Sequence, residues 1–186
     1  VESWMMDKKR EQKGEFILSD EQEHGTKGGT HQFSLYRALH RGGIFTDIPG
    51  TTKEELIRNT MVHLAKHLEL DADVLTELLI ERENLQPTAL NQGLAVPHTR
   101  DFLLSSRHDA VTIVFPETPI PYGALDGKPV HTLFFLFACS DKHHLNLLAK
   151  IAHLSSNPDA IALFNSRPNK EKVLAFIKDW EAHLKK

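Results

Sequence analysis

The sequence predicts an α/β sandwich, a central β-sheet held between helices, and three observations carry that expectation. Amphipathic helical spacing fills most of residues 51–86. Two runs rich in β-branched and aromatic residues follow, AVTIVF at 110–115 and VHTLFFLFA at 130–138. Helical spacing then returns after Lys142. The second β run is apolar on both faces, which suits a strand covered by helices above and below.

Residues 1–32 stand apart from this plan as a charged linker, or as the tail of a missing N-terminal domain. Five Lys/Arg and seven Asp/Glu fall within the first 30 residues, and 21–30 are polar throughout. Such a stretch cannot bury enough apolar surface to offset its ordering entropy. A short ordered piece is expected only at residues 4–6. The chain begins with Val1 rather than Met, as a fragment of a longer protein would. Residues 33–186 form the folded domain.

Within it, Phe33-Ser-Leu-Tyr-Arg-Ala-Leu39 predicts a short helix stopped by Gly42-Gly43. Thr51 and Thr52 each precede a Glu by three residues, a capping-box pattern. Ile57, Met61, Leu64, Ala65 and Leu68 then repeat at helical spacing, so Lys53–Leu68 is an amphipathic helix. A second helix starts at Asp71 or Asp73, turns Val74, Leu75, Leu78 and Leu79 inward, and ends before Pro87, because the residue before proline disfavours helix. A short apolar run follows Gly93 at 94–97. Pro116 and Pro129 bound the two strands, and Asp126-Gly127 marks a turn. Two more helices are expected, one over about 142–154 and one opened by Asn169 with Val173, Ile177, Trp180 and Leu184 on one face. There is no internal repeat.

Composition closes several doors. The 186 residues are 40% hydrophobic and 25% charged, an ordinary globular balance. The single cysteine, Cys139, excludes a disulfide framework and a cysteine-based zinc site. A net charge of −3 argues against a protein that coats DNA. No apolar stretch reaches membrane-spanning length, and no signal-peptide pattern opens the chain, so a cytoplasmic protein is expected. Ser105-Ser106 lacks a nucleophile-elbow setting, and no phosphate-binding glycine loop is present. Among twelve histidines, His63 and His67 share a helix face, but no Glu follows His63, so they read as solvated positions rather than metal ligands. His143-His144 alone is equally uninformative. Neither a cofactor nor a metal is expected.

His98 differs because of its neighbours. Gly93-Leu94-Ala95-Val96-Pro97-His98 places a glycine, an apolar strand and a proline ahead of an imidazole. Leu79-Ile80-Glu81-Arg82-Glu83, Thr88 and this run resemble the signature of the phosphotransferase-system EIIA domains of the fructose/mannitol/nitrogen-regulatory class, LLxRE followed by TGIGxGIAIPH. Thr118-Pro119-Ile120, Ala124-Leu125-Asp126-Gly127-Lys128-Pro129-Val130 and His144-Leu145-Asn146-Leu147-Leu148-Ala149 are similar to the later motifs of that family. The resemblance spans about residues 45–180. One departure stands out: Thr88-Ala89-Leu90-Asn91 occupies the place of T-G-I-G, and losing two glycines removes freedom for positive φ and close approach.

The resemblance implies a mixed sheet between helices and a phosphotransferase function, with His98 accepting a phosphoryl group from phospho-HPr. It implies a second active-site histidine at His144, set at a helix start by Ser140 or Asp141, where backbone N–H groups favour an anion. Arg82 is expected to supply a forked cation. With no EIIB or permease present, the nitrogen-type regulatory branch fits better than sugar uptake, and the downstream target protein or EIIB stays unnamed. Two alternatives stand beside this one. The altered loop at 88–91 suits a binding module that is never phosphorylated. Val1-Glu2-Ser3-Trp4-Met5-Met6 resembles the end of a helix-turn-helix, so a DNA-binding regulator would reach DNA through a missing N-terminal module.

Overall fold

The computed structural model describes residues 34–99, 104–105 and 108–184. The expected linker at 1–32, with its ordered piece at 4–6 and its helix-turn-helix resemblance, lies outside the described residues.

Helix α1, Leu35–Gly42, buries Leu35, Ala38 and Leu39. Its start is held from the far end of the domain: the Glu181 carboxylate accepts from the backbone N–H groups of Leu35 (2.6 Å) and Tyr36 (3.1 Å). Unsatisfied N–H groups at a helix start favour an acidic partner, and here that partner is non-local. At the other end, a Cβ on Gly42 would sit 2.1 Å from the Val111 carbonyl oxygen, so only glycine lets the helix press against the sheet there.

Strand β1, Ile44–Ile48, was not expected from the sequence. It is only five residues long, and Asp47 takes a left-handed φ of 55° where the pairing register shifts. Helix α2 occupies Lys53–Leu68 as expected, with Thr52 accepting from Glu55 N–H. Glu55 returns the bond to Thr51, at both its N–H and its hydroxyl. Helix α3, Ala72–Leu85, is capped by Asp71 and stops short of Pro87. Leu75 and Leu79 point inward, but Val74 is 51% exposed, because the buried stripe passes through Thr76 instead.

Strands β2 (Leu94–Ala95), β3 (Ala110–Pro116) and β4 (Thr132–Phe137) follow. Helices α4 (Asp141–Leu154), α5 (Pro158–Asn165) and α6 (Lys170–His183) complete the described domain. The sequence reading missed α5, where Asn157 caps and Pro158 opens an eight-residue helix. In α6 the expected inward face is real for Val173, Ile177 and Trp180, while Leu184 caps the helix end and is partly exposed.

The four strands form one mixed sheet in the order β1-β3-β4-β2, parallel at both flanks and antiparallel between β3 and β4. Both inner strands are buried along their whole length. Alternation splits them between two layers. Val111, Ile113, Phe134 and Leu136 meet α1, α4, α5 and α6 on one side. Val114, Leu133, Phe135 and Phe137 meet α2 and α3 on the other. The edge strand β2 leaves this double cover at one end, and its continuation carries His98.

Candidate functional site

Two contacts fix the chain that follows β2. The Val96 N–H donates to the Thr88 carbonyl (3.0 Å), and the Leu136 N–H of β4 donates to the Pro97 carbonyl (3.1 Å). His98 is therefore anchored from both sides by backbone bonds that Pro97 itself cannot donate. His98 is 6% exposed. The side chain folds back on its own strand, with Nδ1 2.7 Å from the Val96 carbonyl. A carbonyl can only accept, so Nδ1 carries the proton, and the lone pair of the neutral ring lies on Nε2. The bond thus sets the tautomer a nucleophile needs.

His144 meets this ring. The two centroids are 5.0 Å apart and the planes cross at 69°, an edge-to-face pair. His144 sits in the first turn of α4, whose N-cap is Ser140, and its own N–H donates to the Ser140 carbonyl (3.0 Å). The helix therefore brings an imidazole and its positive dipole end to the same place. His98 and His144, 46 positions apart, are thus brought into contact.

Behind it lies a buried carboxylate. Glu83, at the end of α3, accepts from Thr88 N–H (3.0 Å), from the Thr88 hydroxyl and from the Tyr122 hydroxyl (2.9 Å). Lys53 stands 3.6 Å from its other side and also lies over the Tyr122 ring. Burial and the neighbouring Glu83 push the Tyr122 phenol well above its ordinary range, so it remains a donor. Thr88 is thus pinned to Glu83 by its N–H and hydroxyl, and to Val96 by its carbonyl. The network positions the strand that delivers His98.

Arg82 takes a different direction from Glu83. Its Nη1 donates to the Gln86 carbonyl (2.8 Å), closing the end of α3. The structure pairs the two histidines but gives Arg82 a helix-terminal partner.

The family described as phosphoenolpyruvate-dependent sugar phosphotransferase system, EIIA 2, matches residues 38–180. The chain belongs to this family. A nitrogen regulatory protein of Pseudomonas aeruginosa is 30% identical over 148 residues, covering 78% of this chain and 95% of that one. A nitrogen regulatory protein of Escherichia coli is 32% identical over 120 residues, covering 63% of this chain and 72% of its own length. The crystal structure of nitrogen regulatory protein IIA-Ntr from Neisseria meningitidis shares the fold at a TM-score of 0.63 and 27% identity, covering 72% of this chain and 92% of that one. The mixed sheet between helices is thus the EIIA fold, and the chain is a phosphoryl carrier of the phosphotransferase type.

Seen as an EIIA domain, the loop at 88–91 explains how it dispenses with two glycines. The left-handed positions fall later, at Gln92 (φ 68°) and Gly93 (φ 83°). A Cβ on Gly93 would lie 2.4 Å from the His131 ring, so glycine is required there for space as well as conformation. Asp126, held below the usual carboxylate range by the Gln92 and Lys128 N–H groups, ties the loop down. Tyr122 and Lys53 escaped the sequence reading, since nothing local links them to Glu83. Their signal was weak: a lone tyrosine and the first residue of a helix.

Proposed function

We propose that this EIIA domain accepts a phosphoryl group on Nε2 of His98 from phospho-HPr, in a regulatory role of the nitrogen type. The tautomer set by the Val96 carbonyl carries the reading. The Nε2 lone pair forms the new N–P bond while the bond from donor to phosphorus breaks and its electron pair leaves with the donor. The Nδ1 proton stays in its hydrogen bond, so no proton has to move in the step. The product gains roughly −1.5 to −2 charge, by analogy with other phosphorylated side chains. His144 and the start of α4 stand where donors can meet the phosphoryl oxygens, and positioning plus charge neutralisation is most of what such a transfer requires.

Arg82 is proposed as a further cation for that group. It would have to exchange the Gln86 carbonyl for phosphoryl oxygens, and its planar fork suits two oxygens at once. The regulatory role is supported by the nitrogen regulatory relatives, whose lengths the chain largely spans. A cytoplasmic location follows from that role, and no helix among the described residues is long and apolar enough to cross a membrane.

Incubation with Enzyme I, HPr and labelled phosphoenolpyruvate tests the reading. Acid-labile, alkali-stable phosphate should map to the peptide containing His98. Label absent from the wild-type protein favours a binding module that is never phosphorylated. In the same assay Arg82→Lys should transfer about tenfold more slowly, because a point charge cannot copy the fork. A wild-type rate for both Arg82→Lys and Arg82→Ala removes Arg82 from the site.

A further inference from the structure

A second cluster lies at the same end of the sheet and takes no part in the proposed transfer. Asp109 immediately precedes β3, Cys139 follows β4, and His143 stands in the first turn of α4. The antiparallel pairing of Ala110 with Phe137 brings the two strand ends together, and the turn into α4 folds His143 over them. The Cys139 Sγ lies 3.6 Å from His143 Nδ1, and Asp109 Oδ2 lies 2.7 Å from the same nitrogen. One donor atom from each of the three residues falls within 4.8 Å of the other two.

The choice of nitrogen decides between two chemistries. A nucleophile relay uses opposite ring nitrogens, one for the acid and one for the nucleophile. Here thiol and carboxylate both face Nδ1, so the three groups converge on one point instead of forming a chain. Convergence of a sulfur, a nitrogen and an oxygen is what a borderline-soft cation needs. Zinc bonds of about 2.3 Å to sulfur and about 2.0 Å to nitrogen at a tetrahedral angle place those donors about 3.5 Å apart, close to the 3.6 Å found between Sγ and Nδ1. The carboxylate would retreat by a few tenths of an ångström as the metal replaces the proton it shares with His143.

We propose that Asp109, Cys139 and His143 form a three-ligand site for a zinc-class divalent cation, with the fourth coordination position open. The donors are already oriented. Asp109 Oδ1 accepts from the Cys139 N–H (2.9 Å), fixing the carboxylate, and the His143 N–H donates to the Ser140 hydroxyl (3.2 Å), fixing the helix turn. Thiolate and carboxylate together neutralise a dication, and the Arg41 guanidinium, which feels both Asp109 and Cys139, supplies positive charge to the metal-free form. Asp109 and Cys139 are buried, while the His143 side chain is 19% exposed and leaves an entry side. Counting cysteines in the sequence pointed away from zinc because it looked for several thiolates. The fold assembles one thiolate with two other ligand types.

The test uses the whole chain, stripped of metal and titrated with zinc alone against a chromophoric chelator, then with cobalt(II). One zinc per chain should bind, and the cobalt form should show a thiolate-to-metal charge-transfer band with the visible spectrum of a four-coordinate ion. Cys139→Ser should abolish that band and weaken zinc binding by at least about tenfold, and His143→Gln should weaken it similarly. His63→Gln, on an exposed helix face, should bind as the wild type does. A wild-type cobalt complex without the thiolate band overturns the site and needs no variant to do so. Zinc affinity unchanged in Cys139→Ser, or lost in His63→Gln, assigns the metal to surface histidines and overturns it as well.

Discussion

The Glu83 and His98 clusters are both buried, both polar and both joined to the same few residues around β2, yet they are built to opposite ends. Glu83 receives donors from Thr88 and Tyr122 and has Lys53 beside it. Its lone pairs are engaged by partners from separate elements. His98 is held at Nδ1 by the Val96 carbonyl, and the ring it meets edge-on is another imidazole at a helix start. A buried group saturated on every side is scaffolding. A buried imidazole held in one tautomer and turned toward a positive helix end suits the proposed chemistry. Burial alone does not separate the two; the direction of the hydrogen bonds does.

That contrast can be broken experimentally. The largest effect is expected from His98→Gln, which removes the nucleophilic ring: phosphorylation from phospho-HPr should vanish, while urea unfolding shows a folded protein. Retained phosphate in this variant places the acceptor elsewhere. Glu83→Ala should do the reverse. It strands the Thr88 and Tyr122 donors and the Lys53 charge, so unfolding free energy should fall by about 3 kcal/mol, while the folded fraction still takes phosphate. A variant that is stable but inactive would make Glu83 part of the chemistry and dissolve the distinction.

His144→Ala is expected to slow transfer by about a hundredfold, the usual order for removing one group that stabilises developing charge. Rapid-mixing phosphotransfer measures it, and complete loss would mean that the two rings act as one unit. The smallest effect concerns His131, whose imidazole burial holds below its ordinary value of 6.5. Its charged form is disfavoured in the folded state, so the unfolded chain binds more protons. Stability is therefore full above about pH 6.5 and falls as the pH drops through that value toward the lowered one. His131→Gln should flatten this acid limb in chemical unfolding at a series of pH values. An unchanged slope would show that His131 ionises as easily folded as unfolded.

Much of this was legible in the sequence, for reasons specific to particular residues. Helix α2 announced itself through Thr52, Glu55 and a regular apolar stripe, and β4 through an unbroken apolar run. Strand β1 did not, because Asp47 in a left-handed conformation interrupts a five-residue edge strand. Helix α5 hid behind Ser155-Ser156-Asn157-Pro158, which reads as a loop although Asn157 is a cap. His98 and His144 could be found from their local motifs. Their anchoring could not, since the Val96 carbonyl, the edge-to-face contact and the Glu83–Tyr122 bond exist only once the sheet is assembled. The same holds for Asp109 and His143, which lie 34 positions apart and meet through strand pairing.

The strand order also dictates a sequence of events in time. Only β3 and β4 are neighbours both along the chain and in the sheet; β1 joins β3 across two intervening helices, and β2 joins β4 across the whole of β3. Loop-closure entropy rises with the length of chain enclosed, so the central antiparallel pair closes first and the two parallel flanks arrive afterwards. Strand β2 contributes just two residues to its pairing, Leu94 with Thr132 and Ala95 with Leu133. The segment bearing His98, the proposed acceptor, is then expected among the last to dock during folding and among the first to leave during partial opening. With His98 as the acceptor, phosphorylation of the chain would require that last docking step.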